Sequence, residues 1–460
     1  MTAEAPERPS RPRPTRRGPA DLPFTIDAAA LAATAAGERG EPEWLREARA
    51  AAAVSYDGLP IEANQLYTPY VDLRAADLAD VLAYSTSAGV EPTTGSLEDA
   101  DVLVELDEDR VVRLERSPEA AAAGVVVETF AQALARDPAE FRSHLAAGPG
   151  LPADKLAQLT AAAWSQGLSI SLPDGVRLER PILVRTLAGE PGRALFARTL
   201  VTLGRGAHAA LVEELTSPPD PPASAGQALY AGTTEVALDD EAELDVASVQ
   251  EFGPREVAFQ HRVARIGEAA TLRWALGQLG GRLVRSRVDN VLAGDRSTVE
   301  QVEIVFGSDE QLFDLTSYTR HLGRDTTGNL LAKGALLDGA RSFMKGLITI
   351  ERSAVGTDSF LGEFGMNLSK KARAVAIPSL EIDQPDCRRA AHSSSVGPID
   401  ETQLFYLESR GIPPDEARKF IVLGFLEPVV ARIGHPAAQE RLRERLEAKW
   451  AAARPGRAAA

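Results

Sequence analysis

The chain has 460 residues, of which 44% are hydrophobic and 25% charged, the composition of an ordinary globular protein. Its 50 Lys and Arg residues against 66 Asp and Glu residues give a formal net charge of -16. This acidic balance argues against a nucleic-acid partner, because such proteins carry clustered Lys and Arg that displace phosphate counterions. No stretch approaches the roughly 20 apolar residues that span a bilayer, so a membrane partner is not expected either.

Residues 1–20 are rich in Arg and Pro and contain no apolar run. No hydrophobic segment follows Arg16 and Arg17, so we expect a disordered tail rather than an export signal, and a cytoplasmic location. The only cysteine, Cys387, excludes an intrachain disulfide and a closed multi-cysteine zinc site. A single thiolate also cannot hold an iron–sulfur cluster alone, since a cluster usually takes about four protein ligands.

Residues 21–167 are predicted to form a mainly helical N-terminal region, because they are rich in Ala, Leu, Glu and Arg. Asp154 stands where the N-cap of a helix should be, and Gly167 is expected to end that helix. Within this region, residues 101–115 alternate with a period of two. They predict a hairpin with its turn at Glu108–Asp109.

Residues 168–398 change to short β-branched runs bounded by Gly, Asp and Pro, which predicts strands. A loose template recurs in them, with two apolar positions, a polar turn, and a small residue before the next apolar one. The template starts at Val201, Val236, Ala264, Val291, Ala335 and Ile348. The starts lie about 35, 28, 27, 44 and 13 residues apart.

These intervals fit a β-solenoid in which a coil takes about 27 to 28 residues and half a coil 13 to 14. The interval of 35 residues between Val201 and Val236 would then be one coil with an insertion, for which the Pro-rich segment after Thr216 is the candidate. No helical pattern separates the strands, which disfavours a Rossmann or TIM-barrel arrangement. A β-sandwich with coincidental spacing is the alternative that periodicity leaves open.

Residues 399–460 return to a helical pattern with clear boundaries. Asp400 predicts a first cap, Arg410–Gly411 a first end, and Asp415 a second cap. Residues 434–436 (Gly-His-Pro) separate a last helix. The first two helices are more apolar than a solvated tail would be, so some of their surface must be covered.

The common catalytic motifs are absent, including a phosphate-binding loop and a CxxC pair. One cluster could bind metal, because Cys387 and His392 combine a soft thiolate with an imidazole within five residues. Glu381, Asp383 and Asp386 add oxygen donors nearby. The alternative is structural, with Cys387 a small buried residue and His392 a hydrogen-bonded turn residue.

Residues 378–425 resemble the C-terminal signature of the SufB/SufD scaffold proteins of iron–sulfur cluster assembly. The matching segments are Leu380–Ile382, His392 with Val396–Gly397, Phe405–Leu407, Ser409–Ile412 and Gly424–Phe425. Residues 159–182 are also similar to the start of the family's β-helix, and residues 41–45 to an early helical element.

The resemblance implies a right-handed parallel β-helix flanked by N- and C-terminal helical domains. It also implies a non-catalytic scaffold that pairs with a paralogue through its β-helix and binds an ABC-type ATPase through its C-terminal helices, or forms a homodimer when the paralogue is absent. The ATPase surface is expected at Phe405, Tyr406, Arg410, Gly411 and Phe425; the alternative is that these residues, Phe425 above all, pack within their own domain. This chain would bind no nucleotide itself, and a transient cluster would form at the subunit junction.

One departure from the family pattern indicates which member this is. The family commonly has Cys two residues before the loop histidine, and here that residue is Ala390. Because the cluster-bearing SufB type should not be nearly free of cysteine, we favour the SufD type. By this resemblance His392 belongs at the subunit junction, whereas Cys387 is a candidate ligand through proximity alone. The rival interpretations are the SufB-type paralogue itself and a cytoplasmic β-helix enzyme that acts on acidic polysaccharide.

Overall fold

The protein is described by a computed structural model that covers residues 26–78, 81–84, 93–94, 97, 99–151, 153–218, 226–432 and 436–452. The tail predicted for residues 1–20 lies outside the described residues. So do most of the Pro-rich insertion and the separator at residues 433–435. Among the described helices, none is both long enough and apolar enough to cross a membrane.

Helices occupy both ends of the described chain. They are α1 (Ala28–Arg39), α2 (Glu43–Gly58), α3 (Pro118–Ala122), α4 (Phe130–Arg136), α5 (Pro138–Ala147), α6 (Lys155–Ala163), α7 (Glu401–Ser409), α8 (Pro414–Val430) and α9 (Pro436–Ala452). A short 3-10 turn spans Thr68–Tyr70.

Strands fill the centre of the chain. They are β1 (Leu82–Ala83), β2 (Thr93–Thr94), β3 (Val102–Asp107), β4 (Arg110–Arg116), β5 (Val126–Thr129), β6 (Gln166–Leu172), β7 (Ile182–Leu187), β8 (Arg193–Leu203), β9 (His208–Thr216), β10 (Ala228–Leu238), β11 (Glu243–Glu251), β12 (Glu256–Ile266), β13 (Thr271–Gln278), β14 (Leu283–Leu292), β15 (Thr298–Gly307), β16 (Leu312–His321), β17 (Thr327–Leu336), β18 (Arg341–Ile350), β19 (Asp358–Asn367), β20 (Arg373–Ile382) and β21 (Arg389–Pro398).

The strands from β6 onward form a β-solenoid of about eight coils, which confirms the predicted fold. Even-numbered strands pair in parallel in one sheet, from β6 to β20, and odd-numbered strands in the other, from β7 to β21. Val201 pairs with Val236, and Val236 with Ala264, as the spacing predicts. Ala264 pairs with Asn290, one residue before the predicted Val291.

The interior holds alternate side chains of every strand, because side chains on a strand point to opposite faces. In-register parallel pairing stacks them into columns, so each coil covers the apolar face of its neighbour. One column contains polar residues: Asn290 accepts a hydrogen bond from the Trp274 indole at 3.0 Å and donates one to Gln301 at 3.0 Å. The interior is therefore not uniformly apolar.

One corner of the solenoid depends on glycines that face the next coil. A Cβ on Gly323 would lie 2.2 Å from the carbonyl oxygen of Gly294, and a Cβ on Gly294 would lie 2.1 Å from the nitrogen of Glu268. Real Cβ atoms do not approach backbone atoms this closely. These two positions therefore need glycine for the coils to keep the roughly 4.8 Å spacing of paired strands.

The N-terminal region contributes strands as well as helices. The predicted hairpin is confirmed, since β3 and β4 are antiparallel and Glu108 in their turn has φ +54°. Asp154 caps α6 as predicted, by accepting from the backbone N–H groups of Leu156 and Ala157. Gly167 does not end that helix, because α6 stops at Ala163 and Gly167 already lies in β6.

A buried ion cluster joins the N-terminal region to the outer face of the even-numbered sheet. Asp154 accepts from Arg287 at 3.0 Å, and Glu62 accepts from Arg285 at 3.2 Å. Asp289 accepts from Arg287 at 2.7 Å; burial by itself would raise the pKa of Asp289, but Arg287 and His261 beside the carboxylate hold that pKa below its usual range. Because buried charges cost free energy unless they are paired, this cluster fixes how the N-terminal region docks.

The C-terminal helices α8 and α9 pack on the odd-numbered sheet. Leu442, Leu446 and Trp450 form the buried stripe of α9, and Trp450 stacks on Phe306 of β15 with ring centroids 6.2 Å apart. Cations on the same helix bind the solenoid one turn apart, because Arg441 pairs with Glu214, Arg445 with Glu251 at 3.1 Å, and Lys449 donates to the Leu279 carbonyl. The helix α9 is thus fastened across several coils.

Candidate functional site

The last coil, β20 and β21, is the most exposed part of the two sheets. β20 pairs with β18 and β21 pairs with β19, and among the described strands neither has a neighbour on its other edge. Each strand is ten residues long, so each presents a long row of unpaired backbone groups. Ile382 and Val396 are exposed on this coil. Such edges are templates for pairing with another chain.

His392 lies in the middle of β21. It pairs in register with Leu361 of β19, a buried interior residue, and paired residues of parallel strands project to the same face. The imidazole therefore belongs to the interior face of the coil, yet it is exposed because no further coil covers it in the part of the chain that the structure describes. Position and exposure together make His392 accessible to a partner at this end.

Cys387 lies in the link between β20 and β21 and is half-buried. It packs with Leu380 and Ala390 against an apolar set deeper in the solenoid. The members of that set are Leu330, Ile348, Ile350, Ala354 and Leu361. These contacts match the structural alternative, in which the thiol serves as a small apolar group.

No group of three or more His, Cys, Asp and Glu side chains is placed to hold a metal ion within the part of the chain that the structure describes. The three carboxylates predicted to assist, Glu381, Asp383 and Asp386, are exposed around the last coil. Glu381 accepts from the Thr349 hydroxyl at 3.4 Å. The chain thus brings His392 to the open end without a preformed ligand set of its own.

Glu363 on β19 is a buried acid next to the last coil that the sequence analysis did not single out. It is buried inside the solenoid, one coil below β21, and its carboxylate accepts from the backbone N–H of Ile377 at 2.8 Å. Burial raises the pKa of Glu363 to about 8. The signal was present in the sequence, because alternation along β19 places this acid at an interior position next to apolar neighbours.

The helix α7 follows β21 after two residues and stands almost free. It has no buried residue, and Phe405 and Tyr406 are 71% and 56% exposed. Asp400 caps the helix by accepting from the backbone of Thr402 and Gln403, as predicted. The end at Arg410–Gly411 is also confirmed, because Gly411 has φ +88° and Ile412 donates to the Leu407 carbonyl at 3.2 Å.

Two phenylalanines of α8, Phe420 and Phe425, differ in exposure, which the sequence did not predict. Phe420 is 61% exposed on the side of α8 away from the buried residues Val422 and Leu426. Phe425, predicted to contact a partner, is half-buried, and its carbonyl accepts from Lys333 of β17 at 2.6 Å while the ammonium lies 4.6 Å from its ring. The helix begins at Pro414, so Asp415, the predicted cap, lies inside its first turn.

Comparison with known proteins explains this arrangement. Residues 185–425 match the family model described as SUF system FeS cluster assembly, SufBD core domain, over more than half of the chain. The chain belongs to the SufBD family. Its iron–sulfur cluster assembly role follows from that membership, and the predicted family resemblance is confirmed.

Individual relatives agree with the SufBD assignment and indicate a SufD-like member. The iron–sulfur cluster assembly protein SufD of Bacillus subtilis is 27% identical over 424 residues, which cover 89% of this chain and 94% of the relative. A SufBD family protein of Mycobacterium tuberculosis is 28% identical over 305 residues, 65% of this chain and 75% of that protein. One from Staphylococcus epidermidis is 26% identical over 305 residues, 66% and 64% respectively.

Proposed function

We propose that this chain is a SufD-like, non-catalytic scaffold subunit that acts in the cytoplasm with a SufB-like paralogue and an ABC-type ATPase. The observation that carries the proposal is the combination of two unsatisfied surfaces at one end of the molecule. One is the unpaired last coil, and the other is the apolar face of α7 and α8 at Phe405, Tyr406 and Phe420.

The paralogue is proposed to pair with the edges of β20 and β21. Edge strands of this length expose backbone donors and acceptors that another strand can satisfy, and the exposed Ile382 and Val396 would gain burial. The same edge is available to a second copy of this chain when the paralogue is absent. Pairing there would bring His392 into the junction between the two subunits.

The ATPase is proposed to bind the exposed face of α7 and the first turns of α8. Aromatic side chains such as Phe405, Tyr406 and Phe420 are typical interface anchors, because they bury a large area at a low entropy cost. Arg410 lies beside the Tyr406 ring, 5.5 Å from its centre, and adds a cation to this face. Since the chain has no phosphate-binding loop, the nucleotide chemistry would belong to the partner.

The iron–sulfur cluster would be cargo of the complex and would form transiently at the junction between this chain and the paralogue. His392 would supply one neutral imidazole ligand there, and the remaining ligands would come from the paralogue. Cys387 is retained only as a secondary candidate, since its contacts are apolar. The single cysteine of the chain supports the SufD type over the SufB type.

Co-expression with the paralogue and the ATPase tests the proposal. A stable ternary complex on size exclusion is the expected result, and the double variant Phe405→Ala with Phe420→Ala should lose the ATPase but keep the paralogue. Absence of the ATPase from the wild-type complex would reject the scaffold role. A visible-absorbing cluster that the chain alone holds after anaerobic reconstitution, and that survives Cys387→Ala, would instead favour the SufB type.

A further inference from the structure

The helix α9 rests on the outer face of the odd-numbered sheet through few contacts. Of its described side chains three are buried, one from each successive turn: Leu442, Leu446 and Trp450. Two cations on this side of the helix, Arg441 and Arg445, pair with Glu214 and Glu251 of the solenoid. All four of these charged side chains keep contact with solvent, and ion pairs of this kind contribute little to stability. One further contact can therefore decide how firmly α9 is docked.

Lys449 is a third cation on this side of α9, and its partners differ from those of the other two. Arg441, Arg445 and Lys449 follow one another at four-residue spacing, which places them on one face of the helix. The ammonium of Lys449 donates to the Leu279 carbonyl and to the side-chain oxygen of Gln311 at 3.0 Å. Among the described residues, no carboxylate forms an ion pair with it. The ammonium is thus held by hydrogen bonds to neutral groups.

The surroundings of Lys449 are largely apolar. Phe306 of β15 and Phe313 of β16 have their ring centres 5.8 and 5.9 Å from the ammonium. The charged groups nearest to it on the elements packed around it are Glu251 of β11, Asp309 in the link between β15 and β16, and Arg445 one turn earlier in α9. Aromatic rings attract a cation, but they do not replace the water that it loses. Burial therefore lowers the pKa of Lys449 to about 7.

This lowered pKa links the docking of α9 to pH. When α9 leaves the sheet, the Lys449 ammonium returns to water and to its ordinary pKa of 10.5. Between the two pKa values the released helix binds a proton that the docked helix does not bind, so docking weakens as the pH falls through this range. From about pH 8.5 to about pH 6.5, the equilibrium between docked and released α9 shifts roughly 25-fold toward release. Well below the docked pKa both forms are protonated, and the shift ends.

Glu251, in the same interface, acts with the opposite sign. Burial raises the pKa of its carboxyl, and the cations Arg445 and Lys449 offset part of that rise. A carboxyl with a raised pKa keeps a proton in the docked state, so its effect is to strengthen docking as the pH falls. Release on acidification therefore depends on Lys449, and substitutions at the two positions separate their effects.

We propose that Lys449 makes α9 a pH-sensitive latch on the solenoid, closed at mildly alkaline pH and open more often as the pH falls below neutrality. Opening would uncover Phe306, on which Trp450 stacks, and would withdraw Arg443 from Glu427 of α8, its partner at 2.6 Å. The latch thus controls both the outer face of the odd-numbered sheet and one of the contacts that hold α8. It belongs to this chain alone and is independent of the proposed partners.

Hydrogen exchange of the full chain measures the opening of the latch. The protection of residues 436–452, corrected for the intrinsic pH dependence of exchange, should rise roughly 25-fold from about pH 6.5 to about pH 8.5 in the wild type. Lys449→Met keeps the length of the side chain without its charge, so protection should become nearly independent of pH. Lys449→Arg stays charged throughout this range and should lower protection at both pH values. Equal protection of the wild type at the two pH values would overturn the latch.

Two further variants serve as controls for the assignment to Lys449. Lys419→Met removes a lysine of α8 that pairs with Glu447 of α9 at 3.3 Å, and the rise in protection with pH should remain. Glu251→Gln removes the carboxyl that acts with the opposite sign, so the rise should remain or become steeper. Because Lys449→Met and Lys449→Arg both abolish titration in this range, a rise that persists in either variant would overturn the role of Lys449. Loss of the rise in Glu251→Gln would overturn it as well.

Discussion

Truncation of the exposed aromatic residues of α7 and of the first turns of α8 should weaken ATPase binding without loss of stability. At 71% exposure, Phe405 offers about 140 Å² of a roughly 200 Å² side chain. Burying that area would contribute at most ~3.5 kcal/mol at about 25 cal/mol per Å². Phe405→Ala should therefore raise the Kd by up to roughly 300-fold, and Phe420→Ala by somewhat less.

The matched control is Phe425→Ala, which changes the same residue type and lies, like Phe420, in α8. Its ring is half-buried under Lys333, so the substitution should lower the free energy of unfolding by about 2 kcal/mol and leave the Kd nearly unchanged. Calorimetric titration of the full chain with purified ATPase gives the Kd, and urea unfolding gives the stability. The reasoning is refuted if Phe425→Ala weakens binding as much as Phe405→Ala does while the protein stays folded.

Three further predictions follow from the solenoid. Gly323→Ala should destabilise the chain by about 3 kcal/mol in urea unfolding, because its Cβ would press on the next coil at 2.2 Å, whereas Gly58→Ala should be neutral or slightly stabilising. The free energy of unfolding should fall as pH rises from about 4.5 to 8, by up to about 1.4 kcal/mol per pH unit, because folded Glu363 keeps a proton that the unfolded chain releases. The variant Glu363→Gln should flatten this slope, and an unchanged slope in that variant would contradict the prediction. His392→Ala should leave the ternary complex intact and impair cluster formation, while Cys387→Ala should have little effect; normal cluster yield in His392→Ala would make that histidine structural.

The solenoid could be predicted because its physics repeats along the sequence. Every coil needs apolar or small residues at alternate positions, so Val201, Val236 and Ala264 recur at the coil length and reveal it. The prediction at Val291 was off by one residue because the residue that pairs with Ala264, Asn290, is polar and does not fit a template of apolar positions. Its amide bonds to Trp274 and Gln301, and no local pattern signals such a partnership.

Features that join distant segments could not be predicted in the same way. The ion pair of Glu62 with Arg285 joins residues more than 200 positions apart, and its partners look like ordinary surface charges in the sequence. The division between Phe420 and Phe425 needed the phase of α8 against the solenoid, which depends on where Val422 and Leu426 land on the strands. Local caps such as Asp154 and Asp400 were predictable, because each acts within three residues of itself.

The two ends of the solenoid differ in a way that supports an interface at the last coil. At the start, the antiparallel strand β5 pairs with β6, and β3 of the hairpin formed by β3 and β4 pairs with β7. The first strand of each solenoid sheet is therefore covered by a further strand of the same chain. At the other end, β20 and β21 have no such neighbour among the described strands, and α7 leaves β21 without covering it. A solenoid end left uncapped exposes apolar surface and strand edges, which natural proteins otherwise protect. This chain protects the first end with its own strands, and among the described residues it does not protect the second, which agrees with the proposal that a second polypeptide continues the sheets there. Measuring the mass of the purified chain in solution, alone and mixed with the paralogue, tests whether a second polypeptide pairs with β20 and β21. A chain that stays monomeric at micromolar concentration and also fails to bind the paralogue would contradict this pairing.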